Sequence, residues 1–175
     1  MKKLLLILLI LFSTKAYSKG IGLEAGLAYG DIGAEETAQR IANLSGSTTT
    51  VTYDRATWYG RFFYEYDLSS DSFLDLGYFM TGSLDATYTL SGASAKEGYA
   101  FNGLEASYGV RSDDVYFKGG VHQSEVEGAA SITIGGTTYA AEASANGTGY
   151  LFGGGIEADG IRYGATYYGN LGGVE

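Results

Sequence analysis

Nine ionisable residues raise the question of chemistry: Glu24, Arg61, Glu65, Asp75, Glu105, Lys118, His122, Glu157 and Arg162. Each stands in a stretch where apolar residues recur at every second position, so strand parity sends all nine to one face. Five are carboxylates, set against two arginines and one lysine. Three chemistries fit that inventory. Opposite charges on neighbouring strands can neutralise one another as a plug, since a buried charge is tolerated only when paired and hydrogen-bonded. The surplus of carboxylates could instead line a small gated pore that prefers cations. His122, the one histidine, precedes Ser124 with Glu125 and Glu127 nearby, the residue types of a Ser/His/Glu hydrolase. The plug accounts for most of the set. No enzyme is expected, nor any metal or other cofactor: Asp113-Asp114 reads as a solvated turn, and the absence of cysteine removes thiol chemistry and thiolate ligands.

The elements that must hold these charges are strands. Residues 57–80 read T-W-Y-G-R-F-F-Y-E-Y-D, then L-S-S-D-S, then F-L-D-L-G-Y-F-M. Trp58, Phe62, Tyr64 and Tyr66 share one parity, while Tyr59, Arg61, Phe63, Glu65 and Asp67 share the other. After the turn, Leu74, Leu76, Tyr78 and Met80 alternate with Asp75, Gly77 and Phe79. A soluble sandwich turns its polar face to water, and that face rarely sets rings between its charges. A membrane barrel explains both faces, with aromatics on lipid and charges with rings filling a narrow interior.

The pattern repeats along the chain. Residues 21–29 place Ile21, Leu23, Ala25, Leu27 and Tyr29 outward, with Glu24 inward. A long polar connection follows over 31–52, within which 34–44 has the spacing of a short helix. The third strand is expected to run on past Met80 through Leu84, Ala86, Tyr88 and Leu90. Later strands set Leu104, Tyr108 and Val110, then Phe117 and Val121, then Tyr150, Phe152 and Ile156, then Tyr163 and Tyr167 outward. Gly135-Gly136 occupies the place of a two-residue hairpin turn. Connections at 68–72, 111–114 and 158–160 are tight; those near 31–52, 91–98 and 125–147 are long or carry strands beyond membrane height. Trp58, Tyr64, Tyr66, Tyr78, Tyr108, Phe117, Tyr150, Tyr163 and Tyr167 are expected to be lipid-facing anchors.

Composition agrees with an all-β antiparallel chain. Among 175 residues there are 28 Gly and 16 Tyr but no Pro. Residues 1–18 read as a signal peptide: Lys2 and Lys3, an apolar run over 4–12 too short to span a bilayer, then Ala16-Tyr17-Ser18. One domain, 19–175, remains. The formal net charge is −9, and Lys2, Lys3 and Lys15 fall in the leader, so the domain itself is more acidic still. That balance argues against nucleic acid as a partner, and none is expected.

The runs Y-G-R-F-F-Y-E-Y-D, L-E-A-S-Y-G-V, Y-F-K-G-G-V and G-G-G-I-E resemble the small outer-membrane barrels of the OmpA/OmpX type, over about residues 20–170. The resemblance implies an antiparallel up-and-down barrel of eight strands, exported to the bacterial outer membrane, in contact with its lipid and monomeric when complete. It implies roles in envelope integrity, adhesion or weak pore activity. The expected function is a structural and adhesive surface barrel whose protruding strands could take an extracellular partner by strand addition. Ser/His/Glu residues in an outer-membrane barrel also resemble the lipid A deacylases, whose site faces lipid. Here His122 and Ser124 share the inward parity of Lys118, which points them away from any lipid ester. Seven of the eight strands are countable. The domain is therefore expected to be C-terminally incomplete, with the first and seventh strands flanking a gap.

Overall fold

The computed structural model describes residues 20–158 and 161–173; the proposed signal peptide and the turn at 159–160 lie outside the described residues. Nine strands occur among them: β1 (Ile21–Tyr29), β2 (Thr50–Tyr53), β3 (Ala56–Asp67), β4 (Ser72–Thr81), β5 (Leu84–Leu90), β6 (Ala93–Ser112), β7 (Val115–Ile134), β8 (Thr137–Ala158) and β9 (Ile161–Gly169). One helix, α1 (Ala34–Ser45), follows β1. All pairings are antiparallel, and the sheet runs β1-β3-β4-β6-β7-β8-β9, with β2 on β5 and β5 on β6. The result is a curled antiparallel sheet, a half-barrel whose two end strands are β1 and β9.

The hairpins follow from their turns. Gly135 and Gly136 both have positive φ, 57° and 85°, and join Ile134 to Thr137 in direct register. Two central residues at positive φ give the turn whose twist matches the strands, and glycine takes that conformation without a Cβ clash. β6 and β7 have 20 residues each and β8 has 22. At about 3.3 Å per residue these ladders reach on the order of 65 Å, far beyond what a bilayer requires. The chain thus divides into a seven-stranded wall and a projecting head.

The head departs from the sequence expectation in two places. The connection over 31–52 is not wholly polar loop, because Thr50–Tyr53 pairs with Thr89 back to Ala86 of β5. The third strand is also not continuous. Met80 pairs with Asn102, yet Leu84 pairs with Tyr99, so one extra residue stands on the β4–β5 side. That bulge spans Thr81 to Ser83, and one extra residue reverses every side chain that follows. Leu84, Ala86 and Tyr88 therefore turn inward and are buried, where unbroken alternation from Met80 would have sent them outward.

Helix α1 covers the concave side of the head. It starts after Gly33, whose N–H donates to Asp31 Oδ1 (2.8 Å), and ends at Gly46, whose N–H donates to Ala42 O (2.9 Å). Glu35 and Glu36 in the first turn oppose the positive end of the helix dipole. Ala34 and Ala38 pack with Ile32, Tyr59, Phe79, Leu84, Tyr88, Phe101, Val126, Leu151, Tyr168 and Leu171 in one apolar cluster. After β9 the chain turns inward over 171–173, where Gly172 N–H donates to Ser124 Oγ (2.8 Å). The concave side thus carries charge toward the tight turns and an apolar seal toward the head.

Candidate functional site

Alternation along each strand builds the site. Its centre is Arg61 of β3, the ladder partner of Glu24 and of Phe79. Arg61 Nη1 donates to Glu24 Oε2 at 3.0 Å. Its Nη2 pairs with Asp75 and lies 2.6 Å from Glu105 Oε1. Three carboxylates from β1, β4 and β6 thus converge on one guanidinium, whose planar fork can serve several acceptors at once. Lys118 of β7 is a longer partner, its Nζ 3.8 Å from Glu105 Oε1. The rings between the charges are structural: Arg61 lies over Phe63 at 4.4 Å from the ring centroid.

A second cluster lies nearer the tight turns. Arg162 of β9 donates through Nη1 to Glu65 Oε2 and through Nε to Glu157 Oε2, both at 2.6 Å. Arg111 pairs with Glu65 and donates to Asp67 Oδ1 at 2.8 Å. Phe73 lies against two cations, with Arg111 at 4.5 Å and Arg162 at 4.9 Å from its centroid, while Arg162 also sits 4.7 Å from that of Tyr116.

Eight of the nine residues singled out from sequence fall into these two ion-pair clusters. His122 is the exception. It is buried, and its Nε2 stands 2.9 Å from Gly169 O, inside a ring cluster with Phe79 and Tyr168. Ser124, beside it, takes the N–H of Gly172. Both side chains face the interior and are engaged by backbone.

Sequence reasoning passed over Arg111 as part of a turn, although it shares inward parity with Glu105. It also left Tyr59 and Tyr168 out of the polar set. Their hydroxyls are 3.0 Å apart, and Tyr168 donates to Glu105, which carries the network up to the apolar seal.

The outer face is of another kind. Trp58, Tyr64, Tyr66, Tyr78, Tyr108, Phe117, Tyr150 and Tyr163 are exposed on the convex side, and Tyr167 is half-buried by stacking on Phe152 at 4.9 Å. Outward residues change character at one height. On β6 they pass from Val110, Tyr108 and Leu104 to Asn102; on β7 from Phe117 and Val121 to Gln123, Glu125 and Glu127; on β8 from Ile156, Phe152 and Tyr150 to Thr148 and Asn146. Compared with family models, with curated proteins and with solved structures, the chain matches none of them.

Proposed function

We propose that the chain forms the wall of an outer-membrane β-barrel whose interior is closed by paired charges, and whose long strands hold an adhesive head outside the membrane. The observation that carries this reading is the inversion of the two faces. Phe117, Leu104 and Leu23 are 63%, 65% and 59% exposed, while Arg61, Asp75 and Glu105 are 5% exposed or less. In water each large exposed apolar side chain forgoes about 1.5–3 kcal/mol of burial, and lipid removes that loss. The shared height at which outward residues turn polar matches one edge of a hydrocarbon slab.

The reading places a requirement on the ends of the sheet. β1 and β9 run in the same direction, so they cannot pair with each other antiparallel. In hydrocarbon their outer edges need backbone partners of some kind, because an unpaired backbone group there costs several kcal/mol. The adhesive role is supported by the head's own edge. β8 pairs with β9 only from Tyr150 onward, so residues 137–145 have a ladder partner on the β7 side alone, a place for strand addition.

Fractionation of the producing cells tests the proposal. The protein should sediment with outer membranes and run at two positions on gels, one before and one after boiling. Recovery from the soluble periplasm without detergent would end the membrane reading.

A further inference from the structure

We propose that the concave side of the head is a binding site for a small organic cation, an ammonium ion with apolar substituents. A groove of about 340 Å³ lies there between α1 and the tip of the β7–β8 hairpin. Ile41 of α1 forms one wall, the cross-strand pair Ile132 and Tyr139 the other, and Tyr88 with Glu97 the floor. This volume is at the small end of ligand pockets.

Three observations choose the ligand. First, Ile132 and Tyr139 are 40% and 62% exposed at a height where the outer face of the same strands is already polar, so lipid does not account for them. Second, the floor holds a carboxylate. Glu97 accepts hydrogen bonds from Tyr88 and, at 3.1 Å, from Tyr99. Two phenols fix its direction without neutralising it, and among the described residues no cation is within ion-pairing distance of it. Lys96 is on the rim and belongs to the opposite face of β6. Third, tyrosine rings beside a carboxylate are the surroundings that favour an ammonium ion, through the ring face and the opposite charge together. A neutral apolar guest would cover the walls and leave the carboxylate uncompensated. An anion would be repelled by it.

The groove belongs to the head and not to the outer band, so this inference goes beyond the membrane proposal and can fail without it. Titration calorimetry on the full chain in non-ionic detergent would use n-hexyltrimethylammonium, with 1-hexanol and hexanoate as neutral and anionic counterparts. The cation should bind and the other two should not bind comparably. Glu97→Gln should weaken the cation by about tenfold or more, the weight of one hydrogen-bonded or charge-assisted contact. Ile132→Ser, at an exposed wall position, should also weaken it, and gives a second reading if the substitution at Glu97 disturbs the fold. Glu142→Gln, on the other face of β8, should leave binding unchanged. Equal binding of hexanol and the cation, wild-type affinity in Glu97→Gln, or no binding at all would each overturn the proposal.

Discussion

Arg162 of β9 and Glu65 of β3 meet at 2.6 Å although 97 positions separate them and no ladder joins their strands. The pair ties the last strand of the curled sheet to the neighbour of the first through the interior. Glu65 also holds Arg111, so one carboxylate secures two guanidiniums. Glu65→Gln should therefore cost about 3–5 kcal/mol, the usual penalty for leaving buried cations under-compensated. The denaturant midpoint measured in detergent checks this, and an unchanged midpoint would mean that the tie carries no stability.

A second expectation concerns who holds Glu105. Parity alone makes Lys118 and Arg61 equivalent partners. The distances do not: 2.6 Å to Arg61 against 3.8 Å to Lys118. Double-mutant cycles pairing Glu105→Gln with Arg61→Met and with Lys118→Met should give the larger coupling for arginine, within the range of about 0.5–3 kcal/mol typical of touching residues. A larger coupling to Lys118 would reverse the assignment.

Much of this was legible from the alternation of side chains. Arg61, Glu65, Asp75 and Glu105 could be put on one face because nothing interrupts the period of two between their turns. Partners were harder, since parity fixes a face and not a distance across it. Arg111 was hidden by its neighbours: Ser112, Asp113 and Asp114 look like a turn, yet β6 runs on through Arg111 to Ser112 and only Asp113-Asp114 make the turn. Leu84, Ala86 and Tyr88 misled for the opposite reason. Their alternation is intact, and Gly82 just before them, a glycine of the kind that often marks a bulge, was read through as part of one continuous strand. The inward turn after β9, which buries Leu171, depends on contacts with β7 and β8 that no local pattern records.

Gly77 offers a test of how tightly the centre is packed. A Cβ there would lie 2.9 Å from Arg61 Nε and 3.0 Å from Nη2. Gly77→Ala should push the guanidinium off Glu24, Asp75 and Glu105 and cost about 1–3 kcal/mol, as overpacking does. Gly60, also in the wall but facing outward with only loose neighbours at 3.6 Å and beyond, is the control and should tolerate alanine better. Equal losses at both positions would show that β-propensity and not the arginine decides.

The head's tyrosines predict a dependence on alkaline pH. Burial first, and then the Glu97 carboxylate, raises the Tyr99 phenol above its ordinary value of 10.0; Tyr88 is raised for the same two reasons. Both hold their protons more tightly folded than unfolded. Their contribution is whole below the ordinary value and is lost as pH rises through their own higher ones. Phenolate absorbance should therefore place Tyr88 and Tyr99 in the late-titrating class of tyrosines, and that class should lose a member in Tyr88→Phe. If that substitution leaves the late class unchanged, the assignment to the head fails.

The bulge between β4 and β5 makes the most exacting prediction, because one residue decides which side of the sheet the head's core occupies. Thr81 is buried and its hydroxyl accepts the Phe101 N–H at 3.0 Å, while Gly82 N–H donates to Trp58 O at 2.9 Å, so both flanks of the irregularity are pinned. Deleting Ser83 would leave β5 two choices. It could keep its register with β6 and stretch the link, or resume alternation from Met80 and turn Leu84, Ala86 and Tyr88 outward. The second choice removes from α1 the surface on which Ala34 and Ala38 rest. The wall below, held by β3, β6 and the Arg61 cluster, does not depend on that surface. The deletion variant should thus remain heat-modifiable on gels while its head becomes open to protease within α1 and β5. Protease resistance equal to that of the parent chain would show that β5 keeps its inward face without the extra residue, and the bulge would then be incidental to the placement of the head.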